Sequence, residues 1–191
     1  CSPCISFVEQ LTPPQQAKKE ALGIAEGRGG ARGPENVWGS AATAALCALA
    51  SIDAPPVRAF LLRVGFVASL ATKLADTFAS EVGKAYGKTT YLITTLRRVP
   101  PGTEGAVSAE GTAAGVVGSV ILGGVGICAG MVPMHALLPI ALAAFIANNV
   151  ESLIGATAQG KVPWLTNEVV NFVNTLVGAI FAVALAATGF A

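Results

Sequence analysis

The stretch richest in reactive side chains runs Lys73, Leu74, Ala75, Asp76, Thr77, Phe78, Ala79, Ser80, Glu81, Val82, Gly83, Lys84. On a helix, Lys73, Asp76, Ser80 and Gly83 recur at spacings of three and four and share one face. A charged side chain at mid-membrane costs about 2.5 to 3.5 kcal/mol. An ionisable face in such an apolar setting should line a cavity or meet a ligand; the alternative is a Lys73–Asp76 pair satisfied near the membrane interface. Glu81 stands about 140° around the helix from Asp76, so the two bind one ion only if the helix ends between them.

Gly83 to Thr89 reads GKAYGKT. Only three residues separate its glycines, and it follows an apolar helix rather than a strand, so a P-loop fold is excluded. Lys84, Lys88, Arg97 and Arg98 still set cations beside carboxylates, the combination that a magnesium-bound nucleotide needs. The alternative is a basic loop held on anionic lipid. Gly102, Thr103, Glu104 and Gly105 follow, then Glu110, Gly111 and Thr112. Glycines beside Thr and Glu let backbone amides approach a phosphate, and the acidic residues offer oxygen ligands for Mg²⁺. Ser108 and Glu110 equally suit a helix cap.

Further on, Asn148, Asn149, Glu151 and Ser152 close one apolar run, and Asn167, Asn171 and Asn174 recur at i, i+4 and i+7 at the start of another. Such stripes either join helices, for about 1 kcal/mol or less per bond, or touch a substrate. His135 has no companion ligand or nucleophile and reads as structural. Cys1, Cys4, Cys47 and Cys128 are too few and too irregular for a disulfide scaffold or a four-cysteine zinc site, and the Cys1–Cys4 CxxC precedes no βαβ pattern.

The elements that carry these residues follow from composition. Of 191 residues, 53% are hydrophobic and 12% charged, about half the charged share of a soluble domain. A water-soluble enzyme and a disordered chain are both excluded. A net charge of +1 leaves no field to hold nucleic acid by counterion release. Residues 1–36 form a polar segment with a basic, glycine-rich loop through Arg28 and Arg32, and a chain that starts at Cys1 reads as processed or as part of a longer one. Residues 37–191 read as an all-α, polytopic transmembrane helix bundle of about five spans: Val37 to Ile52, Val57 to about Ser80, two spans split at Pro133 within the uncharged run 111–150, and 169–191. With residues 1–36 inside, the loops 81–110 and 151–168 are also inside. Nine of the twelve lysines and arginines then lie on that side, as the positive-inside rule requires. Glu81, Glu104, Glu110, Glu151, Asn167 and Asn171 fall on the same face, and a one-sided polar face is a candidate site.

Three blocks carry a resemblance: KEALGIAEGRGGARGPENVWGS (19–40), TKLADTFASEVGKAYGKTTYLITTLRRVPPGTEGAVSAEGTAAG (72–115) and ESLIGATAQGKVPWLTNEVVNFVNTLVGA (151–179). In this order they resemble an integral membrane family, catalogued as domain of unknown function 92, that includes the phytyl-phosphate kinase of plant plastids and cyanobacteria. The resemblance covers about residues 17–190. It implies a membrane phosphotransferase that moves a phosphoryl group from a nucleoside triphosphate, with CTP expected, to the prenyl phosphate phytyl phosphate. The product is phytyl diphosphate, for tocopherol and phylloquinone synthesis. A more distant similarity of DTFAS…G…EGT to CTP-dependent phytol and dolichol kinases and to phosphatidate cytidylyltransferases implies Asp76, Ser80, Glu104, Glu110, Gly111 and Thr112 as the nucleotide and metal region.

The resulting expectation gives Asp76, Glu104 and Glu110 catalytic roles, with Glu81 joining them as Mg²⁺ ligands. Ser80, Lys84, Lys88, Arg97, Arg98, Gly102, Thr103, Gly105, Gly111 and Thr112 would hold nucleotide and phosphate, and Arg28, Arg32, Glu151, Asn167 and Asn171 the acceptor. The expected setting is a chloroplast envelope, a thylakoid or a cyanobacterial membrane, with membrane lipids as neighbours. Two other readings stand beside the kinase. One is a cytidylyltransferase. The other is a non-catalytic subunit of a larger photosynthetic membrane complex, motivated by the further hydrophobic helices that members of this family carry before the KEALGIAE block and this chain lacks.

Overall fold

A computed structural model describes residues 35–160 and 162–189. Arg28, Arg32, Lys161, the Cys1–Cys4 motif and the polar segment through residue 34 lie outside the described residues. Five long helices follow: α1 (Glu35–Ser51), α2 (Pro56–Tyr86), α3 (Ala109–Cys128), α4 (Leu137–Thr157) and α5 (Asn167–Ala187). Several boundaries have a local cause. Pro56 occupies the first turn of α2, where a missing N–H costs nothing. Ser108 caps α3 by accepting from the Gly111 amide at 3.1 Å, and Thr166 caps α5 by accepting from Val169. Pro133 opens a single 3₁₀ turn, Met134–Ala136, that leads into α4.

By length and composition, α3, α5 and the stretch Met134–Thr157 are long and apolar enough to cross a membrane. α1 has 17 residues. α2 is long but charged, and its Lys73 and Glu81 are buried within the bundle, where they meet protein instead of acyl chains. At 31 residues, α2 is about 46 Å long, against about 30 Å of hydrocarbon. It is the central helix, packed against all four others.

An element that hydropathy did not announce joins α2 to α3. Strands β1 (Thr90–Leu92) and β2 (Ala106–Ser108) pair antiparallel, with Thr90 opposite Ser108. β2 runs directly into α3, so the hairpin fixes where that helix begins. α2 and α3 then approach through glycines. A Cβ added at Gly111 would stand 2.6 Å from the Ala79 carbonyl oxygen, one at Gly115 3.1 Å from that of Ala75, and one at Gly118 3.2 Å from that of Leu74. Small residues at this spacing let two helix backbones touch in lipid.

Apolar core and polar cavity divide the bundle between its two ends. The core gathers Val64, Val67, Ala68 and Ala71 of α2 with Ile140 and Ala143 of α4 and Ala182 of α5. The opposite end holds the last turns of α2 and α4, the starts of α3 and α5, and the hairpin.

Candidate active site

That second end encloses a cavity of about 240 Å³. α2 supplies Lys73, Asp76, Ser80 and Gly83 along the face expected from their spacing, with Lys84 next to them. The loop before β2 supplies Gly102, Thr103, Glu104 and Gly105, and the first turn of α3 supplies Gly111 and Thr112. α4 adds Glu151, and α5 adds Asn167 and Asn171. Asp76 and Glu104 therefore share one cavity, although they stand 28 positions apart in sequence.

The glycine loop reaches the cavity by packing hard on α4. Gly105 has φ +72°, and a Cβ there would run into the Ser152 carbonyl and the Ala156 amide. Gly102 is also left-handed, at φ +84°. Only glycine adopts such angles readily, so the two bracket Thr103 and Glu104 and turn them to the exposed rim. The amino termini of α3 and α5 also reach the cavity, through Gly111 and Thr112 and through Asn167, and each carries a partial positive charge besides the one N–H that its cap satisfies. An anion is the complementary ligand.

Polar side chains fill the deeper part. Lys73 Nζ donates to Asp76 Oδ2 and to Asn171 Oδ1, each at 2.7 Å. The Asn174 amide donates to Glu151 Oε2 and, at 3.3 Å, to Asn148 Oδ1. Asp76, Lys73 and Glu104 are the electrostatic neighbours of Glu151. Two buried polar atoms of cavity-lining residues have no hydrogen-bond partner, Asn171 Nδ2 and Thr90 Oγ1.

Other expected residues stand elsewhere. Glu81 is 6% exposed and off the cavity. The reason is that α2 continues unbroken to Tyr86, so the helix does not end between Asp76 and Glu81 and their angular separation persists. Glu110 lies in the first turn of α3, where a carboxylate favours the helix dipole, and it does not line the cavity. Lys88, Arg97 and Arg98 are exposed and outside the lining. The backbone of the loop after β1 is pinned against the hairpin, with Leu92 N–H to Arg97 O at 2.9 Å and Val99 N–H to Thr90 O at 3.0 Å, which leaves both arginines outward. Ser108 acts as the cap that its position suggested. The second connection begins after Thr157 rather than at residue 151, because α4 carries Glu151 inside the bundle against Asn174.

Four lining residues were given no site role: Asn148, Ser152 and Gly155 of α4 and Gln159 just beyond its end; the sequence reads the first two only as a stripe that joins helices or touches a substrate. Their spacing of four, three and four is a readable helical stripe. Lys73, read as part of the α2 face but given no ligand role, is the other addition.

The donor set bears on Mg²⁺. Among the described residues no group of three His, Cys, Asp or Glu could hold a metal ion, so the four-carboxylate set of Asp76, Glu81, Glu104 and Glu110 does not assemble. What does assemble is separate carboxylates beside hydroxyls and helix amino termini. Mg²⁺ suits such a site when it arrives on a nucleotide, because it takes one or two carboxylates and completes its shell with phosphate oxygens and water.

Comparison with known proteins adds to this geometry. The profile of a family described as "Integral membrane protein DUF92" matches residues 7–179. An uncharacterized membrane protein of Synechocystis sp. is 60% identical over 173 residues, covering 91% of this chain and 67% of its own length. The chloroplastic protein VTE6 of Arabidopsis thaliana is 49% identical over 176 residues, covering 90% of this chain and 53% of its own. An uncharacterized membrane protein of Methanocaldococcus jannaschii is 37% identical over 129 residues, covering 65% and 52%. The chain thus spans about two thirds of the first relative and about half of the other two. No solved structure matches it. The chloroplastic and cyanobacterial relatives fit a plastid or cyanobacterial membrane.

Proposed function

Because the chain belongs to the integral membrane family DUF92, and on the strength of its cavity, we propose that it forms the phosphoryl-transfer part of a membrane lipid-phosphate kinase that uses CTP and phytyl phosphate. One observation carries this reading: Asp76, Ser80 and Lys84 of α2 and Glu104 of the loop before β2 line a single cavity with the amino terminus of α3.

Chemistry of this kind asks little of the protein beyond position and charge. An oxygen of the acceptor phosphate, already anionic, attacks the terminal phosphorus of the nucleotide; the bond to the β–γ bridging oxygen breaks, and nucleoside diphosphate leaves with that electron pair. No strong base is required. Lys84, the Gly102–Gly105 loop and the first turn of α3, with Gly111 and Thr112, would hold the nucleotide phosphates. Ser80, whose hydroxyl donates to the Thr77 carbonyl at 3.1 Å, would rotate to donate beside them. Asp76 and Glu104 would orient the nucleotide's Mg²⁺, which neutralises charge on the transferring group. Asn167 and Asn171, which line the cavity from α5, would meet an acceptor whose tail remains among the helices.

Membranes containing the full-length protein, supplied with CTP and phytyl phosphate, should release CDP and form phytyl diphosphate. Asp76→Asn should lower turnover by about 10²-fold or more. Unchanged turnover would remove Asp76 from the reaction, and release of pyrophosphate instead of CDP would identify a cytidylyltransferase.

A further inference from the structure

The deep end of the cavity contains a donor pair that is only half used. Lys73, 4% exposed, spends two of its three N–H groups on Asp76 and Asn171. An ammonium cannot accept a hydrogen bond, so the Asn171 side-chain oxygen must face Lys73 and the amide orientation is fixed. The Asn171 Nδ2 group therefore points away from Lys73. It is buried without a partner, in a side chain 2% exposed that lines the cavity. Buried N–H groups left unmade are expensive and need a reason.

We propose that Lys73 and Asn171 form the subsite for the acceptor's phosphate, taking the phosphomonoester head of a long apolar chain. This deepens the kinase reading and rests on it for the identity of the acceptor. Both residues offer donors, as an oxyanion requires: the third N–H of Lys73 and the unpartnered amide of Asn171. Depth selects the acceptor over the nucleotide. Lys73 precedes Lys84 by 11 residues on α2, about 16 Å toward the bilayer, whereas Glu104 and Thr103 stand exposed at the mouth. A polar nucleotide enters from the mouth, and a phosphate tethered to a membrane-embedded tail arrives from the helix side. Asp76, bonded to Lys73 and lining the same cavity, joins the two subsites.

The test is thermal unfolding of the full-length protein in detergent, with phytyl phosphate, phytol or Mg-CTP as ligand. Phytyl phosphate should raise the unfolding midpoint of the wild type and phytol should not. Asn171→Asp keeps an acceptor for Lys73 but replaces the free amide by a negative oxygen. It should lose the phytyl phosphate shift and keep the Mg-CTP shift, and in turnover its KM for phytyl phosphate should rise about tenfold or more. Asn171→Ser, smaller and uncharged, provides a second variant with the same expected loss should the first not fold. A phytyl phosphate shift equal to that of the wild type in a folded variant, or loss of the Mg-CTP shift alone, would overturn the subsite. A wild type stabilised by phytyl phosphate yet inactive would overturn the transfer reaction and leave the subsite standing.

Discussion

A single methyl group at Gly105 would strike the backbone of α4 and force a left-handed angle on an L-residue. Gly105→Ala should therefore destabilise by about 1–3 kcal/mol and displace Glu104 from the rim; a lowered unfolding midpoint together with weaker Mg-CTP binding would show it, and a fully active, equally stable variant would contradict it. Such side-chain placement was partly readable from sequence. Lys73, Asp76, Ser80 and Gly83 could be grouped because they ride one helix, where spacing alone sets the face. Glu81 could not be placed, since its role depended on where α2 stops and no glycine or proline between Asp76 and Gly83 marks an end. The bond from Lys73 to Asn171 joins residues 98 positions apart, and no local pattern reports such a pair.

Between elements, the contact that sets the width of the cavity is the glycine face of α3 against α2. Gly115 lies in the middle of it, with the Ala75 carbonyl on the facing helix. Gly115→Leu should push the two helices apart, costing about 1–3 kcal/mol by overpacking, and a lower unfolding midpoint in detergent with loss of Mg-CTP stabilisation is the expected readout. The helices themselves were legible, because uncharged runs broken by proline pairs and caps are strong signals. β1 and β2 were not, since three residues per strand are too few for any alternation to register. The carboxyl end of α4 was placed too early for another reason. Glu151 resembles the start of a polar connection until its partner Asn174, on a different helix, is known.

For the molecule as a whole, the alternation of α2 to α5 puts the cavity at one membrane face and Cys128, the exposed last residue of α3, at the other. In sealed vesicles of a chain whose other three cysteines are replaced by serine, an impermeant maleimide should label Cys128 from the face opposite that from which it labels Trp164→Cys. Labelling of both from one face would reject the arrangement. The all-α, membrane-embedded architecture was legible from charge and hydropathy because lipid permits so few alternatives. α2 was legible too, as a span from Val57 to about Ser80, although its buried charges lower its apolarity; only its continuation to Tyr86 was missed. That helix, if upright, overshoots the hydrocarbon slab by roughly 16 Å. Its final turns, with Ser80 and Lys84, would thus stand proud of the acyl tails at a height fixed by protein, while a lipid substrate takes its height from the leaflet. Fatty-acid length then acts as a vertical adjustment between the two reactants, tuning the reaction without any change in the chain.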